Sequence, residues 1–415
     1  MLARWMRMGF ALALLAGCEL AEVGAVDLAD AAVAAPTDAQ GAADDSVPDA
    51  PPEDLEGFVA WHMEQGGIPG LAVGMVVDGE VAFTGTWGWA DIEAERPVAE
   101  DTAFAVASIS KLFTGVPLMR LAEEGRLDLD AATEDAFGFR LVHPAHPESP
   151  ITTRQLLTHS SGLVDDWLAL GQTTYEGEPP LDLGEFARAY AQPGGEFYGD
   201  DHFGGAPGTD WEYCNAGFAI AGHLAELGWD EDFRALTRRQ IFEPLGLEDT
   251  GWFYADVDPE KRATLYGYSA RPPSYAASDP VNFAHYPAGG LRSSVRDLLR
   301  YARAWLAGGE LDGRRFLEAD TVRGMLVQQV PELNSRQALV LRYDVLGGRT
   351  YIGHSGAGIG GSANFLMDPG AHAALIVLTN SDAYVRARFG LTSGREALDA
   401  ILERFEADLR ARIEG

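Results

Sequence analysis

The strand-forming segments of this chain gather near its two ends. Residues 71–77 and 81–87 are rich in apolar side chains of the kind found in strands, and the Asp78-Gly79 pair between them is typical of a tight hairpin. Further strand-like segments come late in the chain, at 338–343, 350–352, 362–367 and 373–378. Because strands need neighbours for their backbone hydrogen bonds, the late segments are expected to pair with the early hairpin. This predicts an α+β fold built on an antiparallel sheet.

Helical periodicity flanks these strands and fills the interval between them. Apolar side chains recur at helical spacing in 55–63, 108–124 and 395–412. Helices at the two ends are therefore expected to flank the sheet. The middle of the chain carries more helical segments joined by Gly- and Pro-rich connections, and a helical lobe is predicted at about 125–285 as an insertion between strands. The folded domain is predicted to span 55–412.

Basic side chains are almost all arginine. Only Lys111 and Lys261 are lysine among 31 basic residues, and 63 acidic residues bring the formal net charge to −32. A surface this acidic repels nucleic acid, so no nucleic-acid partner is expected. Arginine cannot lose its proton in a protein, whereas a desolvated lysine can. A lysine kept in such an arginine-rich chain is therefore a candidate for proton transfer.

The first chemical motif is Ser108-Ile109-Ser110-Lys111, at the start of the predicted helix 108–124. Residues three apart share a helical face, so the Ser108 hydroxyl and the Lys111 amine are expected to lie together. A desolvated lysine can accept a hydroxyl proton, and amides at a helix N-terminus can stabilise an oxyanion. The alternative is structural, with Ser108 as a helix N-cap and Lys111 as a solvated surface charge.

The second motif, Tyr213-Cys214-Asn215, precedes the predicted helix 216–227. Two side chains two residues apart in a loop that enters a helix can both point into one cleft. A phenol held near an ammonium could relay a proton to a leaving group, and Asn215 could orient the lysine or a substrate amide. Asn215 as a simple helix cap is the alternative. Cys214 is expected to point away and to fill space in the core.

The third motif, His354-Ser355-Gly356, follows a strand-like segment and leads into a glycine-rich stretch. Glycines allow the backbone to approach a substrate closely. The N–H of Ala357 is therefore a candidate oxyanion donor, opposite the N–H of Ser108.

In this order and at these separations, the three motifs together resemble the serine β-lactamase and penicillin-binding protein superfamily. The Tyr-x-Asn form of the second motif is similar to the class C β-lactamase-related branch, which includes DD-carboxypeptidases, D-aminopeptidases and family VIII esterases. Segments that carry the same resemblance lie at 156–163, 207–215, 242–250 and 289–294. The resemblance spans roughly residues 55–410 and implies a β-lactamase/transpeptidase-like fold.

The resemblance also implies a serine hydrolase that works through an acyl-enzyme on a small-molecule or short-peptide substrate. Ser108 is then the nucleophile, and Lys111 and Tyr213 are the general base and acid, with the first base left open. The implied substrate and oxyanion contacts are Asn215, His354, Gly356 and Ala357, together with the N–H of Ser108. No metal or cofactor is implied, and the oligomeric state stays open.

One position departs from the β-lactamases of this branch, which carry lysine where this sequence has His354. A fixed lysine charge helps to bind the β-lactam carboxylate, whereas histidine is mostly neutral at pH 7. The histidine form is more similar to the DD-peptidases of the branch. A D-amino-acid peptide or a small ester is therefore expected as substrate ahead of a β-lactam.

The N-terminal segment predicts export and lipid attachment. Basic residues precede an apolar run that is too short to span a membrane and is typical of a signal peptide, predicted over 1–17. The run ends in Leu-Ala-Gly-Cys18, which resembles a bacterial lipobox and makes Cys18 the expected lipidation site. Residues 18–54, acidic and rich in Ala and Pro, are predicted to be a disordered tether. The expected location is the cell envelope, at the outer membrane facing the periplasm, with the lipid as the only membrane anchor.

Several residues admit a different interpretation. Ser355 could lie on a nucleophile elbow, but the following sequence runs through glycines into a strand and not into a helix. His143, His146 and His202 could suggest a metal site, but structural roles in loops are favoured for all three. His159 is expected to hydrogen-bond within its own turn.

Two questions stay open at this point. Aromatic side chains are concentrated in the irregular segment 164–212, where packing into the core and a lid over the pocket are both possible. The alternative to an enzyme is a non-catalytic protein that binds cell-wall peptides in the same cleft.

Overall fold

A computed structural model describes residues 50–179, 181–279 and 281–415. The predicted signal peptide over 1–17, the lipidation site Cys18 and nearly all of the predicted tether over 18–54 lie outside the described residues. The boundaries assigned to these segments, and the limits of the helical lobe at about 125–285, stay predictions.

A sheet of seven antiparallel strands forms the centre of the described part of the chain, in the order β12-β13-β14-β15-β1-β2-β3. The hairpin at Asp78-Gly79 forms as predicted, because both residues adopt the positive φ angles that its tight turn requires. The late strands then pair with β1 through β15, which confirms the predicted α+β architecture. The strands are β1 Gly70–Val77, β2 Glu80–Asp91, β3 Arg96–Pro97, β4 Phe104–Ala105, β5 Thr174–Tyr175, β6 Tyr266–Ala270, β7 Pro273–Ala277, β8 Asn282–Phe283, β9 Arg292–Ser293, β10 Glu310–Leu311, β11 Arg314–Arg315, β12 Arg342–Leu346, β13 Arg349–Gly358, β14 Gly361–Asp368 and β15 Ala373–Thr379.

Helices cover both faces of this sheet and fill the interval between β3 and β12. Short β-ladders join the connections in that interval. The α-helices are α1 Leu55–Gly66, α2 Ser110–Glu123, α3 Thr133–Phe137, α4 Thr153–Leu157, α5 Trp167–Gln172, α6 Leu183–Ala191, α7 Asn215–Trp229, α8 Phe233–Thr237, α9 Glu243–Leu245, α10 Val295–Leu306, α11 Ala319–Met325, α12 Ala383–Ala387 and α13 Ser393–Glu414.

The two faces of the sheet bury different cores. Alternate residues of a strand point to opposite faces, and accordingly Val73 packs with the terminal helices α1 and α13 whereas Ala72 belongs to the larger core beneath the helical part. Helix α10 approaches that second face so closely that a Cβ on Gly74 would lie 2.8 Å from Leu299 Cδ1. The terminal helices therefore flank the sheet on one side, and the inserted helices cover the other.

The strand predicted at 338–343 begins only at Arg342. The residues before it are buried but irregular, because their amides bond to separate segments: Leu339 N donates to Met325 O, and Val340 N donates to Leu157 O. Val340 also has a φ of 72°, which breaks an extended strand. The apolar residues of this segment therefore correctly predicted that it is buried, but the prediction of a strand over its first residues is wrong.

Within the part of the chain that the structure describes, no helix has the length and apolar character needed to cross a bilayer.

Candidate active site

Ser108 lies in a tight turn between β4 and α2. Residues Ala107–Ile109 form one turn of 3-10 helix that runs directly into α2, and Ala107 has a φ of 45°, which is uncommon outside glycine. Ser110 fixes the turn, because its Oγ donates to Ala107 O at 2.6 Å and accepts from Leu291 N at 3.0 Å. A strained conformation held by its surroundings is common at active sites. Ser108 is not a helix N-cap, so the structural alternative for this serine is wrong.

Lys111 is fully buried and points at Ser108. Its Nζ lies 3.2 Å from Ser108 Oγ, and it donates to Asn215 Oδ1 at 2.7 Å and to Ala288 O at 2.6 Å. The alternative of a solvated helix charge is therefore wrong. Both of the last two oxygens can only accept hydrogen bonds. A neutral amine would donate its two protons to Asn215 Oδ1 and Ala288 O, and its lone pair would then face the Ser108 hydroxyl.

The second motif reaches the same place from the start of α7. Asn215 is the first residue of that helix and bonds to Lys111, while the Tyr213 ring centroid lies 4.8 Å from Lys111 Nζ. Cys214 is buried between them and its Sγ accepts from Gly217 N at 3.3 Å. As predicted, the thiol points away from the cleft, and it also serves as the cap of α7.

Strand β13 carries the third motif past the Ser108 turn. A Cβ on Gly356 would lie 2.2 Å from the backbone oxygen of Val106, and a Cβ on Gly358 would lie 3.4 Å from Ala107 Cβ. Ala357 therefore lies between two close approaches of β13 to the turn. His354 is buried on the same strand, with its ring centroid 6.2 Å from that of Tyr213.

The structure thus brings all seven predicted site residues of the folded domain to one place. A family model described as Beta-lactamase matches residues 55–398, which is most of the chain. The chain belongs to the beta-lactamase family. Its membership agrees with the fold and motif order expected from the sequence.

Similarity to individual proteins is moderate. A D-aminopeptidase of Cereibacter sphaeroides is 28% identical over 77% of this chain and 58% of its own length. This chain therefore spans about three fifths of that relative.

Two solved structures resemble the fold. The octameric penicillin-binding protein homologue from Pyrococcus abyssi is 24% identical with a TM-score of 0.67, over 80% of this chain and 74% of its own. A D-stereospecific amidohydrolase from Streptomyces sp. is 26% identical with a TM-score of 0.59, over 76% of this chain and 90% of its own.

His354 is electrically neutral in this site. Burial lowers the pKa of its imidazole to about 3, and the charges of Lys111 and Arg342 act in the same direction. Its Nδ1 lies 2.6 Å from Ser355 O. The ring therefore offers no positive charge to a substrate carboxylate, as the sequence predicted for this position.

His159 contacts the second motif through both a hydrogen bond and a ring stack, a role that was not predicted from the sequence. Its Nδ1 accepts from Cys214 N at 3.0 Å, and its ring stacks on Tyr213 at 4.2 Å between centroids. Burial lowers the pKa of His159 well below its usual range, so the ring is neutral. The expected hydrogen bond within its own turn is made by the backbone, where His159 N donates to Leu156 O at 3.4 Å, whereas the side chain bonds to a distant segment that enters α7.

The other candidate sites do not form. Ser355 is exposed in the middle of β13 and pairs with Asn364 of β14, so it does not occupy a turn between a strand and a helix. His143 Nε2 lies 3.2 Å from Gly204 O, and His202 stacks on Tyr190. No group of three potential metal ligands occurs among the described residues.

Several rings of the aromatic segment 164–212 pack into the core, and the lid over the pocket stays a prediction. Phe186, Tyr190 and Phe203 are buried in the main core. Trp211 instead forms part of the wall of a cavity of about 680 Å³, and its ring centroid lies 6.4 Å from that of Tyr213. Core packing is thus the role of the three buried rings, and only Trp211 among these four faces open space.

Two side chains near the site were not predicted from the sequence. Asp165 contacts Asn215 from behind, and Arg342, on the edge strand β12, lines the cavity with its guanidinium 5.1 Å from the Trp211 ring centroid. Neither belongs to a recognisable motif. Arg342 precedes the third motif by a whole strand, although register places it directly opposite Gly353.

Proposed function

We propose that this protein is a serine hydrolase that cleaves amides through an acyl-enzyme on Ser108. The observation that carries the proposal is the environment of Lys111, whose amine touches Ser108 Oγ while two acceptor-only oxygens hold it. The names of the similar proteins, D-aminopeptidase and D-stereospecific amidohydrolase, support an amide next to a D-amino acid as the substrate class.

The proposed reaction begins when Ser108 Oγ attacks the substrate carbonyl carbon and the Lys111 amine accepts the hydroxyl proton. Negative charge then develops on the carbonyl oxygen, where the N–H groups of Ser108 and Ala357 are the proposed donors. The proton passes to the leaving nitrogen, with the Tyr213 hydroxyl as the proposed relay, and the C–N bond breaks. Water attacks the resulting ester by the reverse proton path and releases the acid.

The cavity lined by Trp211 and Arg342 is the proposed place of the leaving group. Arg342 lines this cavity together with Arg336, Asp210 and Glu212, so basic and acidic side chains both face it. Arg342 lies near enough to His354 to help depress its pKa. Since the imidazole itself is neutral, we propose that Arg342 supplies the positive charge that recognises a carboxylate on the substrate.

Arg342→Gln is expected to raise KM roughly 10-fold for a D-phenylalanine dipeptide with a free C-terminal carboxylate, because a charge-assisted hydrogen bond is lost. For the same dipeptide with an amidated C-terminus, KM should stay near the wild-type value. Steady-state kinetics on the two substrates provides the comparison. The control is Arg349→Gln on the adjacent strand β13, which removes the same charge from a side chain already paired with Asp368. Equal changes for both dipeptides in Arg342→Gln would contradict this assignment.

We also propose that the mature protein is anchored in the bacterial cell envelope by a lipid on Cys18. The lipobox-like sequence that ends at Cys18 supports this proposal. Expressed in a bacterium fed with labelled palmitate, the wild type should incorporate label and Cys18→Ser should not. Equal incorporation by both would rule out Cys18 as the lipidation site.

A further inference from the structure

The Asp165 carboxylate lies directly behind the second motif, on the side away from Ser108. Its Oδ1 accepts from Asn215 N at 2.8 Å and from Ala216 N at 2.9 Å, and its Oδ2 accepts from Asn215 Nδ2 at 2.7 Å. Burial raises the pKa of this carboxyl, while the hydrogen bonds from α7 favour its charged form. One side chain therefore contacts both the backbone and the amide group of Asn215.

Helix capping accounts for only part of this arrangement. The backbone amides at the start of α7 need acceptors, and Cys214 Sγ and Asp165 Oδ1 provide them. The contact between Asp165 Oδ2 and Asn215 Nδ2 satisfies no backbone group. It acts on the side-chain amide that contacts Lys111.

That contact determines which way the Asn215 amide faces. A carboxylate can only accept hydrogen bonds, so the NH₂ end of the amide must turn toward Asp165. The oxygen end then faces Lys111, where Oδ1 accepts from Nζ at 2.7 Å. With Ala288 O as the other acceptor, the third direction of the amine is left for Ser108 Oγ.

We propose that Asp165 is a positioning residue for catalysis, which fixes the orientation of the Asn215 amide and through it the lone pair of Lys111. This role rests on the proposed hydrolase function. If the amide were reversed, its NH₂ group would face the amine and compete with the Ser108 hydroxyl for the lone pair. Lys111 would then be correctly placed, but its lone pair would accept a hydrogen bond from Asn215 and could not take the Ser108 proton.

Asp165→Asn tests this role because it replaces the carboxylate with a group of the same shape. The new side-chain oxygen can still accept from the backbone amides of α7, but the new NH₂ group faces Asn215 and turns that amide around. The rate constant for labelling of Ser108 by a fluorophosphonate probe should fall roughly 30- to 100-fold, the size of effect expected when a reacting group is misplaced. The melting temperature should stay within about 5 °C of wild type.

The matched control is Asp166→Asn, which removes the same charge from the next residue. Asp166 caps α5 through Leu168 N and Ala169 N, and its Oδ2 lies 3.3 Å from His202 Nε2. Its labelling rate should stay within about 3-fold of wild type, because its contacts are with α5 and His202 and not with Asn215.

A double-mutant cycle separates positioning from a general structural role. In an Asn215→Ala background no amide is left to orient, so adding Asp165→Asn should change the labelling rate by less than about 3-fold. A full additional loss in that background, or wild-type labelling by folded Asp165→Asn, would overturn the proposal. If Asp165→Asn does not fold, Asp165→Ser keeps an acceptor for α7 and takes its place, and failure of both to fold would assign Asp165 to stability alone. An unlabelled wild type would instead reject the hydrolase function itself.

Discussion

Lys111→Arg is expected to lower the rate of Ser108 acylation roughly 1,000-fold, the scale of effect of losing a general base. Arginine is long enough to reach Asn215 and Ala288 and carries a fixed positive charge. It cannot give up its proton, however, so it cannot accept one from the Ser108 hydroxyl. The larger planar group must also enter a space in which the lysine is fully buried.

The chain offers a matched control for this substitution, because it has one other lysine. Lys261 lies far from Ser108 in sequence and pairs with Asp249 at 2.7 Å and with Asp101 at 3.2 Å. Arginine can form both ion pairs, so Lys261→Arg should label at the wild-type rate. Fluorophosphonate labelling and hydrolysis of a D-phenylalanine anilide measure the two variants side by side. Wild-type labelling and turnover by Lys111→Arg would remove Lys111 from the proton path.

The sheet and the motif residues could be predicted because their signals are local. The Asp78-Gly79 pair fixes a hairpin by its own backbone preferences, and the three-residue spacing of Ser108 and Lys111 puts both on one turn. The order of the three motifs along the chain then indicated that distant segments meet. The hairpin and the spacing of Ser108 and Lys111 can each be recognised within a window of a few residues, whereas the motif order becomes informative only through the resemblance to a family.

The parts that could not be predicted depend on tertiary contacts. Ala288 binds Lys111 through its backbone oxygen. Because every residue has such an oxygen, the residue type at this position does not indicate the contact. Asp165 contacts the N-terminus of a helix that starts fifty residues later, whereas its neighbour Asp166 caps the helix that follows it directly. From the sequence the two aspartates look alike. Only the folded chain distinguishes the one that faces the second motif.

Position 340 shows the same limit for the fold. Its apolar neighbours suggested a strand, but their amides bond to α4 and to the end of α11 rather than to a ladder. A run of apolar residues predicts burial. Whether the buried segment is extended depends on hydrogen-bond partners that lie far away in the sequence.

Ser108→Ala is expected to abolish covalent chemistry altogether, because no other described serine has the surroundings of Ser108. Ser110 is the nearest in sequence, but its hydroxyl is committed to Ala107 O and Leu291 N. Ser355 is exposed on β13, and its register places it opposite Asn364. Alanine removes one oxygen from the turn and leaves the buried contacts of Ser110 in place, so the variant should fold like the wild type.

Intact-mass spectrometry after incubation with a fluorophosphonate, followed by peptide mapping, tests the central claim most directly. The wild type should gain the mass of one adduct, located on Ser108, and Ser108→Ala should gain none. An adduct of equal yield in both proteins, or one that maps to another serine, would contradict Ser108 as the nucleophile. An unmodified wild type that also hydrolyses no ester, β-lactam or D-amino-acid amide would instead support a protein that only binds in this cleft.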